Sequence, residues 1–288
     1  MIPISDDNPT RRRPFLTTLV GLVCIVVFLY VQPSGVRSID DPTAQEVVEE
    51  VAFAYEHAAI PCELSESRPL TAVEVGATLR GDLESCREHV GVDDPAPFPE
   101  KNVWLSVLVS MFLHEGWLHL AGNLLFLWVF ANNVEDQMGR VSFLLFYLVS
   151  GVVATAAHVI VQPDSTVPVL GAGGAIAGVM GAYLAWFPWV RVRTVIVLGY
   201  IPLWPRIPAA PVLLLWFWLQ FQFDGDTSVA WVAHVVGFGF GVIAGLVARS
   251  DGDFERSLQM QHRRVRAAHS NRKAEMAQAK EARAGLAE

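Results

Sequence analysis

Six blocks of apolar residues, near 14–31, 117–131, 141–161, 167–187, 209–223 and 229–248, are separated by stretches that carry almost all of the charge. Each block runs for roughly 15 to 22 residues, about the length at which a helix crosses a hydrocarbon layer of ~30 Å. The pattern predicts an all-α membrane protein with six transmembrane helices. The second and fifth blocks are short, and each has an apolar approach segment that can extend it. Arg11, Arg12 and Arg13 ahead of the first block also fit a secretory leader. That block is longer than the apolar part of a typical leader, and Gln32-Pro33-Ser34-Gly35 is a poor cleavage site, so it is read as a span.

Between the blocks the chain divides into a cytoplasmic N-terminus (1–13), a first transmembrane helix (14–31), an external acidic loop (32–102), a core with five spans (103–248) and a charged cytoplasmic tail (249–288). The first loop is too long for a simple connection. Within it, residues 45–57 place Val47, Val48, Val51, Ala54 and Tyr55 at the spacing of a short amphipathic helix, so a small external cap is expected. The composition, 52% hydrophobic and 17% charged, agrees with a chain whose main solvent is lipid.

Charge orients the spans, because Lys and Arg concentrate on the cytoplasmic side. With the N-terminus inside, 16 of the 21 basic residues fall inside and five in the first external loop, which also carries fifteen acids between Asp40 and Glu100. Both termini are therefore expected to be cytoplasmic. The net charge of −8 is an external property and implies no nucleic-acid partner. Cys62 and Cys86 are the two cysteines of that loop and face an oxidising compartment, where a disulfide is expected. Cys24 lies in the first span as apolar filler. The tail favours helix but offers little apolar face, which predicts a solvated extension or one resting on anionic lipid.

Two places break the apolar pattern with residues that hydrocarbon does not tolerate without a purpose. One holds His114, Glu115, His119 and Asn123; the other is Ala233-His234. His114 and His119 are five apart, about 140° around a helix, which argues against a shared metal ion. His119 and Asn123 are four apart and share a face, able to aim two hydrogen-bond donors at one developing oxyanion. Interhelical hydrogen-bond glue is the plainer alternative. The fourth block opens Leu170-Gly171-Ala172-Gly173-Gly174, which lacks the third glycine and the soluble strand of a dinucleotide fold. Gly174, Gly178 and Ala182, with Ala233, Gly237, Gly241 and Gly245 on the sixth block, instead predict one close helix crossing beside His234.

In order and spacing, His114, His119 and Asn123, then Gly171-Ala172-Gly173-Gly174, then His234 with Gly237 and Gly241 resemble the rhomboid intramembrane serine proteases over residues 98–248. Asn132-Asn133-Val134-Glu135-Asp136 and Ile201-Pro202 are similar to bacterial members, which implies a bacterial plasma membrane. The resemblance implies a six-helix bundle that binds and cleaves transmembrane helices of client proteins within membrane lipid, without cofactor or metal. It assigns His234 as general base and His119 and Asn123 as oxyanion donors, with His114, Gly171, Gly174, Gly237 and Gly241 supporting them. The nucleophile position is Gly173, which has no hydroxyl. Ala177 is a second departure, where some members place an aromatic on the histidine.

Three functions compete at this point. A catalytically silent family member that binds client helices needs no serine. An active intramembrane endopeptidase needs either a substitute nucleophile, and Ser165, Thr166 and Ser228 lie outside the motif, or an unmutated form with serine at position 173. A channel with His234 in a proton path finds no inverted repeat and no acid within the spans other than Glu115.

Overall fold

A computed structural model describes residues 2–37, 43–86, 94–198, 200–222 and 231–285. Strand β1 (Ile2–Asp6) leads into helix α1 (Phe15–Val26), which runs on through a π-helical turn, Val27–Val31. Helices α2 (Ala44–His57), α3 (Pro61–Glu66) and α4 (Ala72–Leu79) build the first loop. A short helix, α5 (Ser106–Ser110), precedes α6 (Trp117–Phe126), which continues through the π-turn Leu127–Ala131 into α7 (Asn132–Met138). Then come α8 (Arg140–Val161), α9 (Gly173–Trp186), strands β2 (Arg191–Leu198), β3 (Ile201–Leu203) and β4 (Arg206–Pro208), and helices α10 (Ala209–Gln220), α11 (Trp231–Ala248) and α12 (Gly252–Gly285).

The middle of the molecule is α9, buried without a break from Ala175 to Tyr183. It packs against α11 along facing glycines: a methyl added at Gly237 would strike the Gly174 carbonyl, and one at Gly241 the Gly178 carbonyl. A methyl at Gly181 would likewise meet the backbone of Phe238 and Val242. Only bare backbone allows this approach, so the close crossing predicted from the glycine spacing is present, with α8 against both helices.

The outer faces are apolar. Val141, Leu145 and Ile160 on α8, Ile243 and Val247 on α11, and Leu214 and Trp218 on α10 are all exposed, while Ser150, Thr155 and His158 of α8 are buried. This arrangement, polar inward and apolar outward, suits a lipid solvent. By length and composition α8 and α11 are long and apolar enough to cross a membrane; Phe15–Val31, α9 and α10 are apolar but shorter. The blocks drawn from sequence match helices, with the fourth starting six residues later than expected, at Gly173, because Val167 to Ala172 lie in an extended approach and a turn. The ends drawn at 223 and 229 lie outside the described residues.

The all-α expectation needs correction. β2 pairs antiparallel with β1 (Ile2 opposite Val195, Asp6 opposite Val192), with β3 and with β4, making a four-stranded sheet. The run Arg-Val-Arg-Thr-Val-Ile-Val-Leu alternates and is β-branched, the pattern of a strand. The N-terminus is thereby drawn into the fold. Asp6 accepts hydrogen bonds from the Tyr183 hydroxyl (2.6 Å) and the Asn133 amide (2.7 Å), beneath the end of α9.

The tail also departs from the expectation of a solvated extension. Phe254 packs on Trp186 (5.0 Å), Leu258 and Gln261 are buried, and the His262 ring contacts Phe187 and bonds the Trp186 carbonyl (2.7 Å). Residues 254, 258, 261 and 265 recur at helical spacing, a narrow stripe that an average over the charged sequence conceals. Glu135 and Asp136 complete this end. Glu135 accepts from the backbone N–H of Leu16 (3.0 Å) and Thr17 (2.8 Å), capping α1 from a distant helix, and Asp136 pairs with Arg11 (3.2 Å).

At the opposite end the first loop folds as a cap with its own small core of Tyr55, Ile60, Cys62, Leu70 and Cys86. Thr43 with Glu46 and Thr71 with Glu74 form capping boxes that start α2 and α4. Cys62 and Cys86 are disulfide-bonded, with Cα atoms 5.7 Å apart. Lys101 reaches Glu63 (2.5 Å) and the Tyr55 carbonyl (2.6 Å) in the interior, tying the cap to the chain entering α5. Burial pushes the Glu63 carboxyl up and the Lys101 amine down, each opposed by the other's charge. The pair therefore holds the cap without being a strong net source of stability.

Candidate functional site

The turn before α9 sets the site. Gly171 has φ +112°, a backbone conformation that favours glycine, and its N–H donates to the Ser110 carbonyl (2.9 Å). This bend brings the chain against α6. A Cβ at Gly171 would stand 2.7 Å from His119 Nε2 and 3.6 Å from Asn123 Nδ2, so both side chains converge on one point of the turn. Among the described residues, the buried Asn123 amide nitrogen has no hydrogen-bond partner, and neither has His119 Nδ1, which lies 3.8 Å from Glu115. An orphaned donor aimed at a turn is what a resting oxyanion site leaves behind.

Two residues on, Gly173 opens α9 and faces His234. The nearest atom to a Cβ built there is His234 Nε2, closer than real contacts allow, with Cδ2 next at 3.0 Å. The imidazole therefore stands in the space a side chain at 173 would enter. Its other nitrogen, Nδ1, lies 2.8 Å from Gln220 Oε1 at the end of α10. The Gln220 amide nitrogen donates to the Trp216 carbonyl (3.2 Å), which turns the amide oxygen toward the ring. An amide oxygen only accepts, so Nδ1 carries the hydrogen and Nε2 keeps its lone pair facing residue 173. That is the tautomer a general base needs.

The structure thus brings together Gly171, Gly173, His119, Asn123 and His234, with Gly174 and Gly237 in the crossing behind them. His114 is placed differently from the sequence reading. It lies in the turn before α6, so helical spacing does not apply, and its ring meets that of His119 edge-on at 5.3 Å. Gln32 fixes this turn by accepting from the His114 N–H (2.9 Å) and donating to its carbonyl (2.8 Å). Among the described residues, Cys62, Glu74 and Cys86 form a cluster with metal-ligand spacing, and both sulfurs are spent in the disulfide.

Substitute nucleophiles fare poorly. Thr166 is fully buried, donates to the Leu83 carbonyl (3.1 Å) and meets the Thr78 hydroxyl (2.6 Å), and Ser165 is buried beside it under the cap. Ser228 lies outside the described residues. Gln220 was missed from sequence, although an amide ending the run Leu213-Leu214-Leu215-Trp216-Phe217-Trp218-Leu219 was a signal of the same kind as His234.

The rhomboid domain model matches residues 101–251. The chain is 34% identical over 100 residues to the chloroplastic rhomboid-like protein 11 of Arabidopsis thaliana, covering 33% of this chain and 35% of that one. It is 41% identical over 81 residues to the rhomboid protease GluP of Bacillus subtilis, covering 28% of this chain and 15% of that one. It is also 33% identical over 84 residues to the mitochondrial presenilin-associated rhomboid-like protein of Bos taurus, covering 28% and 22%. The aligned segments span well under half the length of these relatives. With its glycine crossing, its convergent histidines and a family match over more than half its length, this chain belongs to the rhomboid family of membrane-integral proteins.

Proposed function

We propose that this protein is a catalytically silent rhomboid that binds transmembrane helices of client proteins, with six spans, both termini in the cytoplasm and the disulfide-closed cap outside. The observation that carries the reading is the pairing of His234 with Gly173. A base in the correct tautomer faces a residue with nothing to deprotonate. In a soluble serine protease, losing the nucleophile costs roughly 10⁶ in turnover, which leaves no useful proteolysis. A groove for helices needs no hydroxyl, and neither the convergence of His119 and Asn123 on the turn nor the close crossing depends on one.

A serine-directed fluorophosphonate tests this. The natural chain, reconstituted in lipid, is expected to take no label, and Gly173→Ser to take label that His234→Ala removes. Labelling of the natural chain at any residue, with cleavage of a transmembrane substrate, would end the reading. Client binding is tested separately, by the affinity of single-span peptides for the natural chain in nanodiscs.

A further inference from the structure

Between the cap and the site lies a cavity of about 380 Å³, walled by α2, the turn at Gln32 and Val36, the tip of α4 and the approach Val167, Pro168 and Leu170. Its lining is mostly apolar, from Val47, Val51 and Ala54 of α2 and Leu170. The polar groups are few and unspent. His114 lines it, is fully buried, and neither ring nitrogen has a hydrogen-bond partner among the described residues. Glu50 and Glu115 line it too; Glu50 makes no ion pair or hydrogen bond among the described residues, and Glu115 has only His119 at 3.8 Å. Gln32, by contrast, has both amide atoms committed to the His114 backbone.

Among the described residues, no Lys or Arg forms an ion pair with Glu50 or Glu115. Arg37 donates to the Phe28 and Gln32 carbonyls, Arg68 pairs with Glu74, and Lys101 with Glu63. Burial raises the Glu50 and Glu115 carboxyls, and for Glu115 the nearby charge of Glu50 adds to it, as expected of two acids lacking a cation. The cavity also shares a wall with the site: the His114 ring touches that of His119, and Leu170 adjoins Gly171.

We infer that this cavity is a subsite for a cationic side chain with an aliphatic stem, an arginine or lysine on the external flank of a client transmembrane helix, with Glu50 and Glu115 taking the charge and α2 the stem. The inference rests on the client-binding reading and names the chemistry of the client. It places recognition on α2, in the part of the chain outside the family match, which starts at residue 101.

The test uses N-butylguanidinium, and N-butylurea as its neutral counterpart, titrated calorimetrically into the natural chain in nanodiscs. The guanidinium is expected to bind and the urea not. Glu50→Gln with Glu115→Gln should weaken binding by about tenfold or more, the loss of one charge-assisted hydrogen bond. Val51→Trp, which fills the cavity and keeps both acids, should weaken it as well. Equal binding of the two probes, or unchanged binding by the paired glutamine variant, overturns the subsite. Single-span peptides with Arg or Gln on the external flank then identify the occupant. Tighter binding of the Arg peptide, lost in the paired variant, supports the inference. Equal binding of both peptides overturns it and leaves client binding standing, and no binding by either overturns both.

Discussion

At the residue scale, the relation of Gly173 to His234 is more than a missing atom. A Cβ at 173 would not enter a waiting gap; it would collide with His234 Nε2. The ring occupies that space and is held there by Gln220. Introducing serine therefore requires the imidazole to withdraw, an overpacking cost of about 1 to 3 kcal/mol. Because the blocking atom ends a side chain and is not backbone, withdrawal is feasible, so Gly173→Ser should label with fluorophosphonate but slowly. Gln220 decides whether the withdrawn ring keeps its tautomer. In the Gly173→Ser background, Gln220→Leu should slow labelling by roughly tenfold to a hundredfold, and Gln220→Glu should restore it. Nitrogen NMR of labelled His234 in the natural chain gives a readout independent of activity. It should show hydrogen on Nδ1, and an Nε2–H tautomer would refute the assigned role of Gln220. Sequence showed the residue types here and their family order. It could not show that His234 stands against Gly173, because that depends on where a ring on α11 rests.

At the element scale, what the sequence concealed lies at the two ends of the bundle. The periodicity of α8, α9 and α11 is strong because lipid and a glycine crossing impose it over many residues. β1 is five residues long and finds its partner some 190 residues away, so nothing local announces it. Its attachment has a chemical signature. Burial lifts the Asp6 carboxyl from an ordinary 3.8 to about 7, opposed by the Tyr183 hydroxyl. Between those values the folded chain keeps a proton that the unfolded chain has lost, so the stability of this contact is greatest below pH 4 and falls as pH rises toward 7. β1 should accordingly be cleaved by added protease more readily at pH 8 than at pH 5. Asp6→Asn, which keeps the acceptor oxygen and carries no charge, should abolish that difference; a difference of unchanged size would show that another group governs it. At the other end the cap depends on a covalent link where its core is small. The Cys62–Cys86 bond closes a loop with a sequence separation of 24, which the chain-entropy model values at about 3 to 4 kcal/mol. Cys62→Ser should expose residues 43–86 to proteolysis while α8 to α11 stay resistant.

At the scale of the whole molecule, the burial pattern and the charge pattern are independent, and they agree on one arrangement. The outer faces of α8, α10 and α11 are apolar, the buried faces hold serine, threonine and histidine, and the glycines lie where helices cross. Such a body is stable in hydrocarbon and would aggregate in water. Its two ends differ in charge. One carries the acidic cap with Glu50 of α2, and beside it Glu115 and the approach to His119. The other carries Arg11, Arg191, Arg206 and α12, gathered by the sheet and by the docking of Leu258 and Gln261. Because β1 and α12 meet there through Asn8, Asn133 and Gln261, both termini must lie on one side of any membrane that crosses the bundle. Basic residues beside a membrane favour the cytoplasmic face; the proposed topology puts the termini there and has the cap, the cavity and the site open to the outside. Single cysteines test this in intact cells. With Cys24→Ala as background and the disulfide intact, Glu49→Cys should react with a membrane-impermeant maleimide. Ser270→Cys and Ser5→Cys should react only after the membrane is opened. Reaction of Ser5→Cys and Ser270→Cys on opposite sides would break the link between the termini, and reaction of both from outside would invert the topology and place the site in the cytoplasm.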